Sequence, residues 1–310
     1  MKLSLVVPCY NEAENVATFQ SAVIEAFRNC DYEYEIVFVD DGSKDTTLSE
    51  LRTLFDKQLC PVQVISFSRN FGKEAALYAG IRHAKGEYIS LIDADLQQDP
   101  SIVRNMVQTL EEQPGYHVVA AYQDRRNEGK ALSFFKKQFY KLINRLSDID
   151  LKSDASDFRT FRRCVAESIL SMGEYHRFSK GIFAWIGFET LYIPYTAAPR
   201  IAGKSKWSFW KLFNYAVEGI IGYSTKPLRM AAFLGGLTSV ASLLYLIVVI
   251  LEKLIAGIDI PGYATIIVLI LFLGGIQLFC LGIIGEYLGK TFEQSKNRPI
   301  YIAKEILDHK

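Results

Sequence analysis

The sequence has few residues of the kinds that build disulfide frameworks or zinc sites. Its five cysteines are widely spaced with no CxxC pair, and its four histidines do not cluster. An odd, scattered set of cysteines argues against a disulfide scaffold and against a zinc-binding domain. The formal net charge of +1 gives no overall attraction to nucleic acid, so no nucleic-acid partner is expected. The start, MKLSLVVPCYNE, has an apolar run too short for a secretory signal and lacks a small-residue cleavage site.

Charged residues are missing from two long segments near the C-terminus. Residues 231–251 and 260–285 contain none over 21 and 26 positions. A helix of roughly 20 apolar residues crosses a bilayer, so we predict two membrane-spanning helices, at about 231–251 and 262–285; buried helices of a soluble protein are the alternative. The loop EKLIAGID between them carries one Lys against two acids, whereas basic residues flank the outer ends at positions 226, 229, 290, 296 and 298. The positive-inside rule then predicts a protein of the cytoplasmic (inner) membrane with the N-terminal domain and both termini in the cytoplasm.

Apolar runs alternate with helical patterns in the first part of the chain. The runs are LSLVV, EIVFVD, VQVISF, YISLID and HVVAAY, and the helices between them are predicted to begin at about Glu12, Asp45, Lys73 and Pro100. Asn11 with Glu14 fits a helix capping box, and Pro100 suits a first helical turn. This alternation predicts an α/β domain with a Rossmann-like, mostly parallel sheet covered on both faces. Ligands of such sheets bind beyond the carboxyl ends of the strands.

The fourth strand ends in DADLQQD, which brings several oxygen ligands together. Asp93 and Asp95 can lie on or near a divalent ion, Mg²⁺ or Mn²⁺, that also holds the diphosphate of a nucleotide sugar, and Gln97 is a further candidate ligand. The alternative is a pair of solvated turn acids. The DxD pattern alone is weak, since Asp148 and Asp150 repeat it with no strand before them.

The other strand ends predict a nucleotide pocket. Asp40 and Asp41 can accept a hydrogen bond from a base N–H, although DDGS is also good turn and N-cap chemistry. Lys73 opens a helix where it can meet phosphate, with a solvated lysine as the alternative. The remaining nucleotide-binding candidates follow the first and fourth strands: Pro8, Tyr10, Glu12, Asp93 and Ala94.

VVPCYNE, VDDGSKDTT, SRNFGKEAAL and LIDADLQQDP, in this order and spacing, resemble the nucleotide-binding half of family 2 glycosyltransferases of the GT-A fold. The likeness is greatest to polyprenyl-phosphate glycosyltransferases: dolichol-phosphate mannose synthases and, with two C-terminal spans, bacterial undecaprenyl-phosphate glucosyltransferases. It implies a metal-dependent, inverting hexosyltransferase that moves glucose from UDP-glucose to a polyprenyl phosphate such as undecaprenyl phosphate. The β-linked product would serve glycan or lipopolysaccharide modification. GDP-mannose, UDP-N-acetylglucosamine, UDP-galactose and aminoarabinose-type donors stay open as alternatives.

The resemblance also implies roles for residues further along the chain. Asp157 and Arg159 match the family's xDFR motif near the acceptor, where the Asp is regarded as the catalytic base; a surface ion pair is the alternative. A lipid monophosphate is already largely ionised at neutral pH, so Asp157 can instead orient the acceptor. Arg200 and Lys206, in a stretch similar to the family's R…G.SKW, are candidates for phosphate contacts on donor or acceptor. Attraction to anionic lipid heads is the other interpretation.

The predicted layout has four parts: a GT-A catalytic domain at 1–200, a flexible loop with an interfacial amphipathic helix at 201–229, two transmembrane helices within 230–288, and a cytoplasmic tail at 289–310. The resemblance implies that the tail packs back on the catalytic domain. Four glycines in the spans permit close helix packing and are compatible with a homo-oligomer: Gly235, Gly236, Gly274 and Gly275. A separate flippase is a further expected partner.

Two other functions are alternatives for a chain with these motifs. Processive polysaccharide synthases resemble this fold but carry a QxxRW motif, which the sequence lacks. A catalytically silent membrane scaffold would be favoured by loss of the acidic residues, yet Asp93, Asp95 and Asp157 are all present.

Overall fold

The computed structural model describes residues 2–123, 144, 155–196, 198, 219, 221–256 and 262–308. Its strands are β1 (Leu3–Cys9), β2 (Tyr34–Asp40), β3 (Val62–Phe67), β4 (Tyr88–Leu91), β5 (Val118–Gln123), β6 (Ala155–Arg162), β7 (Thr190–Tyr195) and β8 (Ala303–Leu307). Its helices are α1 (Val16–Phe27), α2 (Thr47–Lys57), α3 (Lys73–His83), α4 (Pro100–Glu112), α5 (Arg163–Ser171), α6 (Ser179–Trp185), α7 (Lys226–Leu251) and α8 (Tyr263–Ser295). A π-helical turn, Glu252–Ala256, follows α7.

The described strands form one sheet in the order β7-β5-β6-β4-β1-β2-β3-β8. The central strands β4, β1, β2 and β3 are parallel. Antiparallel pairs lie towards the two sides, where β6 runs against β4 and β5, and β8 runs against β3. The predicted mostly parallel sheet is therefore confirmed, with antiparallel additions that the sequence pattern did not indicate.

Both faces of the sheet are covered, because alternate residues of the central strands enter two separate cores. Leu5 and Val7 of β1 pack with α1, α2 and α4 in one core. Val6 packs with α3, α5 and α6 in the other. A methyl group on Gly80 of α3 would lie 2.2 Å from Val6 Cγ1, so this glycine allows α3 to lie close against β1. The close approach sets the height of α3 on the sheet and thereby positions Lys73 at its first turn.

The predicted helix starts agree with the structure at Lys73 and Pro100 and differ at the first two helices. Asp99 caps α4, because its side chain accepts from Ser101 N at 2.8 Å. The capping box at Asn11 and Glu14 was wrong, since α1 begins only at Val16. Asn11 has a φ of 56° and its Oδ1 accepts from Lys44 N at 2.9 Å, so it joins two loops. The second helix begins at Thr47 and not at Asp45.

Helices α7 and α8 are apolar enough to cross a membrane, with mean hydropathies of 2.3 and 2.7 and no buried share in those windows. The two helices contact each other, and Cys280 Sγ lies 3.6 Å from the carbonyl oxygen of Ala231. Tyr287 donates to the carbonyl of Ser224 at 2.6 Å, which ties α8 to the turn before α7. Side chains added at the four candidate packing glycines would meet open space, so the homo-oligomer stays a prediction.

The segment after α8 returns to the sheet, as the family resemblance implies. Strand β8 pairs with β3 from Val64 opposite Leu307 to Phe67 opposite Ala303. Lys85 Nζ lies 2.7 Å from an Asp308 carboxylate oxygen, which adds an ion pair to the backbone pairing. The tail therefore joins the end of the apolar hairpin to the edge of the sheet.

Candidate active site

A cavity of about 330 Å³ lies at the carboxyl ends of the central parallel strands. It brings together eight of the residues singled out from the sequence: Pro8, Tyr10, Glu12, Asp41, Lys73, Asp93, Ala94 and Asp95. Four lining residues were missed, namely Cys9, Asn70, Gly72 and Ala76. All four lie within the stretches VVPCYNE and SRNFGKEAAL already quoted, so their position in those stretches was the available signal.

Asp40 and Asp41 differ in what they contact. Asp40 is 1% exposed, and its carboxylate accepts from Ser43 N at 3.0 Å and from Ser66 Oγ at 2.8 Å. Asp41 lines the cavity and accepts from Phe71 N at 2.6 Å. Its burial raises the pKa of Asp41, against the effect of backbone hydrogen bonds that lower it. Base recognition by this pair stays a prediction, and Asp41 is the member with access to the cavity.

The loop after β2 passes very close to the loop after β3. Gly42 has a φ of 63°, and a methyl group there would lie 2.4 Å from the backbone carbon of Arg69. Only glycine fits this combination of left-handed backbone and close approach. The two loops are thereby held against each other, and Asp41 can reach the amides that precede α3.

The loop after β4 is folded back on itself by its own side chains. Asp93 N donates to Gln98 Oε1 at 3.0 Å, and Gln97 N donates to Asp95 Oδ1 at 3.2 Å. Leu96 between them has a φ of 55°, which is uncommon for a bulky residue and a mark of a constrained loop. Asp93 and Asp95 border the cavity, whereas Gln97 is not among its lining residues.

Lys73 is the cation at the centre of the site. Its Nζ lies 2.6 Å from Asp93 Oδ1 and 3.5 Å from Asp157 Oδ2. Burial lowers the pKa of Lys73, but the charges of Asp93 and Asp157 outweigh that effect and raise it above its ordinary value. A lysine at the first position of a helix opposes the helix dipole, so the helix itself gains nothing from this residue. The two carboxylates that it contacts, Asp93 and Asp157, are what stabilise its positive charge at this position.

Asp157 lies on β6, at the end of the cavity where Lys73 lies. Burial raises its pKa, but the positive charges of Lys73, Lys180 and Arg159 outweigh burial and hold that pKa below its ordinary value. Asp157 is therefore ionised at neutral pH. Lys180, in the first turn of α6, was not found from the sequence, because nothing local marks its proximity to Asp157.

Arg159 lies under the site and is 4% exposed. Its guanidinium stacks 4.1 Å from the ring centroid of Phe183, and its Nη2 donates to the carbonyl of Ser156 at 2.9 Å. In this arrangement it acts on Asp157 through charge. Its predicted role in binding acceptor phosphate stays a prediction.

Glu74 connects the lysine's helix to α6. Its carboxylate accepts from Ser179 N at 3.0 Å and also from the Ser179 hydroxyl. Burial raises the pKa of Glu74, and the Ser179 hydrogen bond opposes that shift. The contact fixes α6, and with it Lys180, next to the start of α3.

The donor set fits a hard divalent cation. No group of three His, Cys, Asp or Glu side chains able to hold a metal occurs in the described part of the chain. Asp93 and Asp95 nevertheless supply two carboxylates at the cavity wall. Mg²⁺ is commonly bound by one or two carboxylates, with substrate phosphates and water completing the shell. The residues present fit a cation that is completed by a bound diphosphate.

Two predicted phosphate contacts, Arg200 and Lys206, lie outside the described residues. Of the interfacial segment predicted at 201–229, the structure describes residue 219 and residues 221–229. Both assignments stay predictions.

A mostly parallel sheet with carboxylates at its strand ends, followed by an apolar helical hairpin, is the architecture of a membrane glycosyltransferase with a GT-A fold. The chain belongs to Glycosyl transferase family 2, which matches residues 4–170. A second family, the GtrB C-terminal hairpin, matches residues 226–291 and covers α7 and all but the last four residues of α8. The predicted family, fold class and enzyme class are confirmed.

Two relatives are similar to nearly the whole chain. The putative glycosyltransferase CsbB of Bacillus subtilis (strain 168) is 41% identical over 304 residues, covering 98% of this chain and 91% of its own length. The bactoprenol glucosyl transferase of Shigella phage SfV is 41% identical over 307 residues, covering 98% of each chain. The crystal structure of mannosyl-3-phosphoglycerate synthase from Rubrobacter xylanophilus matches 70% of this chain and 71% of its own, with 16% identity and a TM-score of 0.50. That likeness indicates a shared fold.

Proposed function

We propose that the protein transfers glucose from UDP-glucose to a polyprenyl phosphate, with undecaprenyl phosphate as the expected lipid, and yields a β-linked lipid-phosphate glucose. The observation that carries the proposal is the similarity to a bactoprenol glucosyl transferase over 98% of both chains, cavity and hairpin included. One chain thus combines a cavity suited to a nucleotide sugar with two apolar helices that would place this cavity next to a lipid substrate.

The cavity supports binding of a nucleotide sugar. Asp41 and the loop after β1 would hold the base, while Lys73 and the carboxylates after β4 border the place for the diphosphate. Asp93 and Asp95 would hold Mg²⁺ or Mn²⁺. A bound divalent ion would offset the negative charge that develops on the departing nucleoside diphosphate.

Asp157 is suited to orient the acceptor more than to remove its proton. A carboxylate with a lowered pKa is a weak base. The acceptor needs little help, because a phosphate monoester has a second pKa near 6 and is mostly doubly ionised at neutral pH. A doubly ionised phosphate beside Asp157 would be repelled without cations. Lys73 and Lys180 supply this compensation, so a phosphate oxygen can approach the anomeric carbon opposite the leaving group.

The charge distribution supports a cytoplasmic orientation for the sheet domain and both termini. Lys226 and Arg229 precede the span of α7, and Lys290, Lys296 and Arg298 follow the apolar part of α8, whereas the intervening loop is acidic on balance. UDP-glucose would then be met in the cytoplasm and the lipid phosphate at the membrane face. A separate flippase would carry the product across the bilayer.

A transfer assay tests the function directly. Full-length protein in liposomes receives undecaprenyl phosphate, Mg²⁺ or Mn²⁺, and one of several radiolabelled nucleotide sugars, and label is counted in the organic phase. We expect label from UDP-glucose, lost with a chelator. Label from another donor in preference would replace glucose in the proposal. No lipid label from any donor, with nucleotide still bound by folded protein, would remove the lipid acceptor and favour a non-catalytic scaffold.

A further inference from the structure

A second cavity, of about 520 Å³, lies between α3, the turn after α5 and the segment after α8. It is separate from the active-site cavity and shares no lining residue with it. The residues that matter most line its wall from these three segments: Tyr78, Arg82, His83, Tyr175, Arg298 and Tyr301. The volume falls in the range of small-molecule sites, which is roughly 300 to 1,000 Å³.

The cavity carries positive charge that the surrounding acids do not neutralise. Within the described part of the chain, neither Arg82 nor Arg298 forms an ion pair. The nearby acids are engaged elsewhere, because Asp308 pairs with Lys85 and Glu293 contacts His176. Two guanidinium groups from separate segments thus face one concave space without a carboxylate between them. Arginine pairs of this kind suit a planar or tetrahedral oxyanion.

Aromatic and imidazole groups complete the wall. The hydroxyl of Tyr301 lies 3.3 Å from His83 Nε2, and the Tyr301 ring stacks on Phe67 with ring centroids 4.9 Å apart. Burial and the charge of Arg82 lower the pKa of His83 and outweigh the opposing charge of Asp308, so the imidazole is neutral at neutral pH. This wall of the cavity is therefore polar, and the stacking of Tyr301 on Phe67 holds it against strand β3.

We propose that this cavity binds a phosphate group, held by Arg82 and Arg298. The shared chemistry of the ligand is a phosphate mono- or diester, whether it is carried by a lipid headgroup at the end of α8 or by a soluble molecule. Bound phosphate joins α3 to the segment between α8 and β8. It thereby fastens the membrane hairpin to the helix whose first residue is Lys73.

The geometry of α3 links the two sites. Glu74, Tyr78 and Arg82 are spaced four residues apart and lie along one face of the helix. Glu74 contacts Ser179 near the active site, and Tyr78 lies beneath the guanidinium of Arg177 at 4.5 Å. The face that carries Arg82 into the second cavity also contacts the elements behind Asp157.

Hydrogen exchange of the full-length protein tests the proposal. One arm adds inorganic phosphate or pyrophosphate in detergent, with chloride at equal ionic strength as reference. The other compares nanodiscs of phosphatidylglycerol with nanodiscs of phosphatidylcholine. We expect slower exchange in residues 296–302. Protection by phosphatidylglycerol alone assigns a headgroup, and protection by phosphate or pyrophosphate assigns a soluble ligand. No protection in either arm overturns the proposal.

Matched arginine variants separate a built site from general surface charge. Arg82→Gln and Arg298→Gln should each weaken binding of the protecting anion by about tenfold, since each removes a charge-assisted hydrogen bond. Arg104→Gln removes an exposed guanidinium from α4, on the opposite face of the sheet, and should change nothing. Equal effects of all three variants would overturn the proposal. So would loss of thermal stability in Arg82→Gln with the anion effect intact, because the arginines would then serve only the C-terminal ends of α3 and α8.

Discussion

The carboxylates on the two sides of the active-site cavity are held by different means. Three carboxylates at the ends of β2 and β4 accept from backbone N–H groups of their own or a neighbouring loop: Asp40 from Ser43, Asp41 from Phe71 and Gly72, and Asp95 from Gln97. Asp93 is the exception, because its carboxylate contacts Lys73. Asp157 on β6 instead has an ammonium group as its contact, with Lys73 at 3.5 Å and the charges of Lys180 and Arg159 nearby. Apart from Asp93, backbone hydrogen bonds hold the carboxylates on the proposed donor side, whereas positive charge holds Asp157 on the proposed acceptor side.

This difference matches what each side is proposed to bind. The base of a nucleotide is a rigid ring, and backbone amides hold Asp41, the carboxylate that would recognise it, independently of salt. The acceptor contributes a mobile phosphate, and a carboxylate surrounded by cations can exchange partners when that phosphate enters. Lys73 touches both sides, because it lies between Asp93 and Asp157.

The largest expected effect is on the donor side. Asp93→Asn should lower glucose transfer by about 10³-fold, because it removes a cation ligand and several kcal/mol of charge stabilisation. Mn²⁺ binding in the presence of UDP-glucose, followed by electron paramagnetic resonance, should fall with it. Asp56→Asn, an exposed carboxylate on α2, is the control. A loss in Asp93→Asn no larger than in the control would contradict the proposed metal site.

Asp157→Asn should have the next largest effect. It should affect the proposed acceptor side and leave the proposed donor side unchanged. We expect kcat to fall by about 10²-fold, since a misplaced acceptor reacts slowly. The KM for UDP-glucose should stay near the wild-type value, because Asp157 contacts no part of the proposed nucleotide pocket except through Lys73. Initial rates at varied UDP-glucose give both constants. A parallel rise in that KM would show that the two sides act as one.

The pH profile tests whether Asp157 is a base. The cations around Asp157 outweigh its burial and keep its pKa below the ordinary aspartate value, so it stays ionised throughout the profile. The acceptor phosphate gains a proton as pH falls through about 6, so kcat/KM should fall by up to about tenfold per unit below that value. Because the titrating group belongs to the lipid, Asp157→Asn should retain the same acid limb at its lower rate. A variant profile that is flat between pH 5 and 8 would identify Asp157 as the titrating base.

Local pattern predicted eight of the residues that line the cavity, because each strand-end loop is contiguous in sequence. The acceptor side depends on contacts between distant segments, such as Lys73 with Asp157 and Glu74 with Ser179, which no spacing rule reveals. The same limit explains the failed capping box. Asn11 matched a local motif, but a hydrogen bond from Lys44 in the next loop took its side chain instead. Strand β8 was likewise hidden, since its partner β3 lies far away in the sequence.

Lys73 offers a smaller effect that sharpens the comparison. Its ammonium occupies Asp93 Oδ1 at 2.6 Å, so it should compete with a divalent ion when no nucleotide is bound. Lys73→Gln should therefore tighten Mn²⁺ binding without nucleotide by about fivefold, the worth of a partly exposed ion pair. Lys180→Gln removes a nearby charge that acts on Asp157 and should change this affinity much less. Equal tightening in both variants would mean that general charge, and not the Asp93 contact, is responsible.

The smallest effect on transfer should come from Ser66→Ala, which alters the support of a donor-side carboxylate. The substitution removes the hydroxyl that donates to Asp40 Oδ2 at 2.8 Å in a fully buried position. Leaving that oxygen unsatisfied should lower the free energy of unfolding by about 1 to 3 kcal/mol. Transfer by the folded protein should stay close to wild type, because Ser43 N still holds Asp40 Oδ1.

Thermal unfolding at two salt concentrations measures the loss of stability in Ser66→Ala and tests whether it depends on charge. Ser21→Ala, whose hydroxyl is exposed and donates within α1, is the matched control and should leave the melting temperature unchanged. The loss of melting temperature in Ser66→Ala should be the same at about 0.1 M and 1 M salt, because a buried hydroxyl contact is little screened. The tightening of Mn²⁺ binding in Lys73→Gln should instead shrink at the higher salt concentration, because it depends on charge. A salt-dependent loss in Ser66→Ala would mean that charge also sets the donor side, and the distinction between the two walls of the cavity would fail.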